Sequence, residues 1–370
     1  MRTLLVTQEP GGIDLAGLRA ERRRRLFDAM ADHGLDALLL GRPGNVNFAS
    51  GARQLWTSGA RPPGPGCIVV AATAKVHLLS TWDEGVPPEI EHDQLFGLKW
   101  NPANLIPSIA AIPGLAAARR VGSDSYTPGF EQFVAAIAPG AELADATLAL
   151  AQARQPKSEA EVALIEHAVA VSEAALAAME DAVEPGARER DILRTYLAAI
   201  SRLGSPQPPT EGVVCATPRS GPVTLRRIPS ERLLGPAQLV VLNPSALYAG
   251  YEGGLGRTVA VDHPSAAASR LAERCREVLD AVIDRCRAGA RGADLGRADA
   301  DVIVFGLGMG AEAPVISAAA GADASLVPGM VLSVQAWVTE EGVGGVLLRD
   351  TVHVVDGTPH VLSRYRSALA

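Results

Sequence analysis

Apolar and polar positions along this chain follow two periods. Within LRAERRRRLFDAMADH, Leu18, Leu26 and Met30 fall at helical spacing, which predicts a helix over about 18–33 that Gly34 ends. DALLLG reads as a buried strand, CIVVAA and VHLLS as a strand pair, RRVGSDS as a short strand start, and Phe130 to Ile137 as a helix. This alternation gives the first 150 residues an α/β layout. A long amphipathic helix follows in RQPKSEAEVALIEHAVAVSEAALAAMEDAV. Ser158 caps it and Glu161, three residues on, completes a capping box. Pro185-Gly186 stops it, and RERDILRTYLAAISRLG is a second helix.

Beyond that point the pattern changes. QLVVLN, RTVAVD, MVLSVQAWV, VLLRDTVHVV and PHVLS are strands bounded by Gly, Pro or Asp. One long helix, Pro264 to Arg287, carries Leu271, Cys275, Val278, Val282 and Cys286 on one face, and a shorter helix is expected after Asp294. The second half is therefore α+β.

DVIVFGLGMGAEAP, residues 301–314, contains G-x-G-x-x-A, a form of the dinucleotide fingerprint. The context argues against that use. Asp299–Asp301 reads as well as a helix end as a strand start. Pro314 falls where the first turns of the phosphate-binding helix would run, and an interior proline costs a helix ~3 kcal/mol. No acidic ribose partner follows at the expected distance, where the next strand carries Gln335.

Composition narrows the class further. The chain has 370 residues, 48% of them hydrophobic, and a net charge of −7, which speaks against a nucleic-acid partner. The one basic run, Arg22 to Arg25, is expected to be a solvated helix face. Cys67, Cys215, Cys275 and Cys286 form no C-x-x-C pair, so neither a disulfide framework nor a zinc knuckle is expected. No leader-like N-terminus and no long uninterrupted apolar run is seen, so the expectation is a cytoplasmic protein without membrane contact.

Several segments then line up with one family. VFGLGMGAEAP (304–314) stands where the pita-bread family of methionine aminopeptidase, prolidase, aminopeptidase P and creatinase has G-H-G-I-G followed by H-E-x-P, one residue shorter. PGMVLSVQAWV, GGVLLRDTVHVV and LNPSALYAGYEGGLGRTV resemble its two glutamate-bearing strands and its aspartate-bearing hairpin, in the same order. RRRLFDAMADHGLDALLLGRPGNVNFASG is similar to the creatinase and prolidase N-terminal domain, and the creatinase-like branch resembles the chain most, through LN at 242–243 and the Arg61-Pro62 stretch. The resemblance implies an α/β creatinase-type N-terminal domain over 1–155, an α+β pita-bread domain over 156–370, and a homodimer.

Metallopeptidases of this family hold two divalent metals with two Asp, one His and two Glu. The matching positions here carry Asn243, Gly254, Phe305, Gln335 and Arg349. Neutral amides are weak ligands, Gly and Phe offer none, and a guanidinium at ~4 Å from a cation repels it by ~4 kcal/mol per unit charge at an effective dielectric near 20. The expectation is a site with no metal and no cofactor. The second family histidine falls at Ala311, and a third near Arg226, so creatine hydrolysis by the creatinase route is not expected either.

What remains is a cationic, amide-lined set. Arg61, Arg226, Asn243, Tyr251, Gln335 and Arg349 are the candidate substrate-binding residues, because guanidinium forks suit carboxylates. Each arginine could equally be held by an acid such as Glu252 or Glu312. Glu252 and Glu312 are the candidate catalytic carboxylates. Glu252 lies two residues before Gly254 and so on the same strand face. Cys215 lacks a nearby histidine and reads as a structural thiol. The expected function is a metal-independent, creatinase-like enzyme on a small carboxylate-bearing amide, amidine or ring compound, by hydrolysis or by a lyase or cyclisation step. The alternative is a non-catalytic pseudo-peptidase that binds a small anionic molecule.

Overall fold

The computed structural model describes residues 12–52, 64–97, 99, 101–125, 129–205, 207–210, 212–218, 220–296, 300–367 and 369. Arg61, Trp56 and Arg219 lie outside them. The chain forms two compact units, Asp14–Arg154 and Gln155–Ala370.

In the first unit, α1 (Leu15–Asp32) is capped by Asp14, whose carboxylate accepts from the Ala16 and Gly17 amides at 3.1 and 3.0 Å. Then come β1 (Ala37–Leu40), α2 (Pro43–Ser50), β2 (Cys67–Val70), β3 (Lys75–Leu79), β4 (Leu95–Phe96), α3 (Pro102–Ala110), β5 (Arg120–Ser123), α4 (Phe130–Ile137), β6 (Glu142–Asp145) and α5 (Thr147–Arg154). The strands make one sheet in the order β4-β3-β2-β1-β5-β6. β1 and β2 are fully buried, which is why DALLLG and CIVV are unbroken apolar runs. The basic run departs from expectation. Arg22 is only 3% exposed, and its guanidinium carbon sits 5.8 Å from the Phe48 ring centre, with that of Arg25 at 5.5 Å. Long arginine stems pack against the aromatic ring of α2, so only part of the run is a solvated face.

The second unit opens with α6 (Glu159–Asp181) and α7 (Glu189–Arg202), followed by β7 (Val213–Ala216), β8 (Leu239–Asn243), β9 (Ser245–Tyr248), β10 (Tyr251–Gly254), β11 (Arg257–Ala260) and α8 (Ala266–Ile283). It ends with β12 (Asp301–Gly308), β13 (Gly310–Ile316), β14 (Val331–Glu340), β15 (Gly344–His353) and β16 (His360–Val361). The capping box forms as read: Ser158 Oγ accepts from the Glu161 amide and Glu161 Oε2 from the Ser158 amide. α6 is long and apolar enough to cross a membrane by length and composition, but Leu164, Ala168, Val171, Ala175 and Met179 are buried inside this unit.

In the glycine-rich segment Asp301–Gly308 is a strand, one of the two readings its start allowed, and the stretch after it is an edge strand, so no phosphate-binding helix follows. Pro314 is tolerated there because an edge strand can spare an amide. Near Asp294 the structure has a single 3-10 turn, Gly292–Asp294, where a shorter helix was expected to follow.

Three sheets form, with orders β11-β8-β7, β10-β9 and β13-β12-β14-β15-β16. Strand alternation sorts their faces. Leu332, Val334, Ala336, Val346 and Leu348 pack with α8 in one core, while Val214, Val240 and Leu242 pack with α6 and α7 in another. The opposite faces of β7, β8, β14 and β15 meet each other through Val213, Cys215, Val241, Trp337 and Leu347. Asn243, Gln335 and Arg349 belong to those inner faces, in register with Val213, Arg349 and Gln335 respectively.

Candidate functional site

Arg349 is the centre of the inner face. It is 6% exposed, and four hydrogen bonds hold its guanidinium. Nε donates to Ser333 Oγ at 2.6 Å, Nη1 to Ser245 Oγ at 2.9 Å and to Asn243 Oδ1 at 3.3 Å, and Nη2 to Glu252 Oε1 at 3.4 Å. The guanidinium carbon stands 5.7 Å from the centre of the Phe305 ring. Burial pushes the Arg349 guanidinium below its ordinary pKa, and the Glu252 carboxylate opposes this.

The backbone under Arg349 is fixed by the neighbouring strand. Gly256 and Arg349 exchange amide–carbonyl bonds at 3.0 Å in both directions. Arg257, which is fully buried, donates to both of those carbonyls at 2.8 Å and pairs with Asp350 at 2.7 Å. A side chain at Gly256 would collide with Leu347, Arg349 and Asn243, at 2.6, 3.1 and 3.1 Å from its Cβ. Glycine there lets β11 approach β15 closely enough to bring the hairpin residues to the guanidinium.

The five positions matched to metal ligands thus hold a cation of the protein's own. Asn243 and Gln335 offer neutral amide oxygens, Phe305 offers a ring, and the cationic Arg349 lies between them. At Gly254, a Cβ would sit 2.3 Å from Ser245 Oγ and 2.8 Å from the Pro244 carbonyl, so the space an aspartate would need is filled. This donor set does not fit a pair of divalent metals. Among the described residues, no group of three or more His, Cys, Asp or Glu is placed to hold a metal ion.

The other candidates are placed as follows. Glu252 joins the Arg349 group, is 6% exposed, and engages it through Oε1. Gln335 is the cross-strand partner of Arg349 and is 8% exposed. Tyr251, adjacent to Glu252, points the other way: it is 1% exposed and its hydroxyl donates to Glu161 Oε1 at 2.7 Å, against α6. That fits core packing rather than a ligand contact. Arg226 grips Glu189, which is fully buried and also accepts from Ser230 Oγ at 2.7 Å and from the Ala216 amide at 2.8 Å. None of these partners is shared with Arg349. Glu312 is ion-paired with Lys157, whose ammonium also donates to the Gln155 carbonyl at 2.9 Å. The expected set therefore divides: Asn243, Glu252, Gln335 and Arg349 come together, whereas Arg226, Tyr251 and Glu312 are engaged in other contacts. Arg61 lies outside the described residues.

Sequence reasoning missed Ser245 and Ser333. For Ser333 the signal was available, because it lies two residues before Gln335 on the same face of β14, whereas Ser245 opens β9, a different strand from that of Asn243. It also missed Lys157, one of only three lysines in a chain that otherwise uses arginine. Cys215 is buried, and burial raises its thiol pKa, as suits a packing role.

The two compact units and the strand order are those of a two-domain creatinase/prolidase architecture. The profile of metallopeptidase family M24 matches residues 163–356, and that of the creatinase/prolidase N-terminal domain matches residues 22–155. The chain belongs to metallopeptidase family M24, with the creatinase-type N-terminal domain. Among curated relatives, it is 21% identical to an Xaa-Pro dipeptidase of Pyrococcus horikoshii over 346 residues, 90% of this chain and 93% of that protein. It is 24% identical to the uncharacterized peptidase YqhT of Bacillus subtilis over 359 residues, 92% of this chain and 96% of that one. The solved prolidase of Pyrococcus horikoshii superposes with a TM-score of 0.77 at 18% identity, covering 95% of this chain and all of that one. The Xaa-Pro dipeptidase of Bacillus anthracis gives 0.76 at 18% identity, covering 94% and 98%. At such identities the solved structures speak for the fold alone.

Proposed function

We propose that this member of family M24 takes a small carboxylate-bearing amide, amidine or ring compound at its inner face and acts on it without a metal ion. One observation carries the reading: the guanidinium of Arg349 lies among the positions matched to metal ligands and is bound there by Ser333, Ser245, Asn243 and Glu252. Glu252 is the base of this reading. Its Oε1 faces Arg349, and its Oε2 is free to take a proton from water or from the substrate, a step worth ~10²–10⁴-fold in rate. Arg349 and the Gln335 amide are then the donors for oxygen charge that develops on the substrate. Val213, Val241, Leu347 and Trp337 pack with one another on the same inner faces. A cytoplasmic homodimer is part of the same proposal, carried by the family likeness and checked by sedimentation.

The test has two arms. Protein purified after exposure to manganese, cobalt and zinc is assayed for bound metal and for hydrolysis of Xaa-Pro dipeptides, after which its dipeptidase relatives are named. We expect neither above background; stoichiometric metal with metal-dependent hydrolysis would overturn the proposal. In the second arm, a panel of N-acyl, amidino and lactam carboxylates is screened for turnover by mass spectrometry, with loss in Glu252→Gln. A second reading is a pseudo-peptidase that binds such a ligand without turnover. It is favoured by the four bonds that already hold Arg349. Ligand binding with no turnover in any member of the panel would decide for it.

A further inference from the structure

We infer that the group meeting Arg349, Glu252 and Gln335 is a neutral amide-type unit, a C(=O)–NH edge such as a lactam or cyclic urea presents, and not a carboxylate. The inference rests on the small-molecule reading above and names which end of the ligand enters the site.

Hydrogen-bond accounting leads there first. A guanidinium has five N–H donors. Four of those on Arg349 are spent on Ser333, Ser245, Asn243 and Glu252, which leaves one on Nη2. Glu252 uses Oε1 for Arg349, so Oε2 remains as an acceptor. The Gln335 side chain is 8% exposed and makes no hydrogen bond among the described residues, so its amide keeps both donor and acceptor capacity. Register places Gln335 directly across from Arg349 on the inner face, with Cβ atoms ~5 Å apart. The Gln335 amide is not among the fully buried unpartnered groups, so its donor and acceptor can both be offered to a ligand.

Charge supplies the second argument. Glu252 already neutralises Arg349, and the two are 6% exposed each. A carboxylate brought to the remaining Nη2 hydrogen would share one guanidinium with the Glu252 carboxylate, in a place where water cannot screen them. The result would be one uncompensated buried charge. A neutral amide edge avoids this. Its carbonyl accepts from Arg349 Nη2 or Gln335 Nε2, and its N–H donates to Glu252 Oε2 or Gln335 Oε1. A cis amide presents both on one side, as three adjacent side chains require. The carboxylate of the ligand lies away from this group.

The experiment measures binding at pH 7 by calorimetry and thermal shift for 2-pyrrolidinone and hydantoin against acetate and cyclopentanecarboxylate. The wild-type protein should bind the neutral pair at least about tenfold more tightly than the carboxylates. Glu252→Gln should reverse the order, because it leaves Arg349 un-neutralised and removes the acceptor for the amide N–H. Gln335→Leu, which leaves the ion pair intact, should weaken the neutral pair alone. Tighter binding of the carboxylates by the wild type overturns the inference and leaves the small-molecule reading standing, as does an unchanged order in Glu252→Gln. If no probe of either kind binds the wild type, both fall.

Discussion

Replacing Arg349 by methionine isolates what the guanidinium contributes to the protein itself. Methionine keeps the unbranched apolar stem but removes the charge and all five donors. Two consequences are separable. Glu252 stays 6% exposed with no cation. At the 3.4 Å separation of Arg349 Nη2 and Glu252 Oε1, and with an effective dielectric near 20, the lost attraction is about 5 kcal/mol. That gross figure overstates the net effect, because the pair was desolvated to form it; removing one partner of a buried pair costs ~3–5 kcal/mol. Ser333, Ser245 and Asn243 also lose a donor, at ~0.5–1.5 kcal/mol each where nothing replaces it. Together these bring the expected loss to about 5 kcal/mol or more, dominated by the orphaned carboxylate.

That dominance is what a double-mutant cycle can check. Glu252→Gln in the Arg349→Met background removes the uncompensated charge, so the double variant should recover ~2–3 kcal/mol relative to the single one, a coupling typical of contacting residues. Urea unfolding followed by circular dichroism reads each corner of the cycle, with the transition of the Gln155–Ala370 unit fitted separately because a two-unit chain need not unfold in one step. If Arg349→Met costs less than about 1 kcal/mol, or if the two substitutions simply add, the guanidinium is not held by a buried ion pair and the charge argument for the site fails.

Two further outcomes are expected. Burial raises the pKa of all four thiols, to about 12 for Cys275 and Cys286, so Ellman's reagent at pH 8 should find almost none of the four in the native protein and all of them after unfolding; rapid native reaction at Cys215 would reopen a nucleophilic role. For Glu189, burial opposes the charge, but the hydrogen bonds from Arg226, Ser230 and Ala216 outweigh it and hold the carboxyl below its ordinary 4.5. Its contribution to stability is thus present above 4.5 and is lost as the pH falls toward the lowered value, and Arg226→Leu, costing ~2 kcal/mol at neutral pH, should flatten that part of the acid limb.

The architecture was legible wherever a local rule sufficed. Ser158 and Glu161 announce the start of α6 because a capping box needs only four residues, and the strand status of QLVVLN and MVLSVQAWV follows from apolar runs between turn residues. Period-two alternation also placed Glu252 and Gly254 on one face before any coordinates. Local rules failed where a partner lies far along the chain. Arg226 could be judged only by knowing that Glu189, 37 residues earlier at the start of α7, comes to it fully buried. Arg22 looked solvated until Phe48 of α2 packed beneath it. Asp301–Gly308 could be read as a helix end or a strand start, because its acidic start masks a strand whose pairing partner, β14, arrives about thirty residues later.

On the proposed metal-free reading, one regularity ties the five compared positions to the ion pair. In the metal-binding members that the chain resembles, two divalent cations stand against four carboxylates, so the buried site is close to neutral. Here one guanidinium stands against one carboxylate, Arg349 against Glu252, and the site is again neutral. On that reading the residues at 243, 254, 305, 335 and 349 form a linked set. A guanidinium at 349 is compatible with a nearby metal pair only at a large repulsive cost, and a carboxylate at 349 without the metals would lie beside Glu252 with nothing to balance either. Ser245 and Ser333 fit the same logic, since they supply the neutral acceptors that a fork of five donors needs and a bare cation does not. On the proposed metal-free reading, a carboxylate introduced at any one of 243, 254, 335 or 349 would leave a buried negative charge unpaired. The proposed site is neutral through Arg349 and Glu252, a cation and an anion of the chain itself.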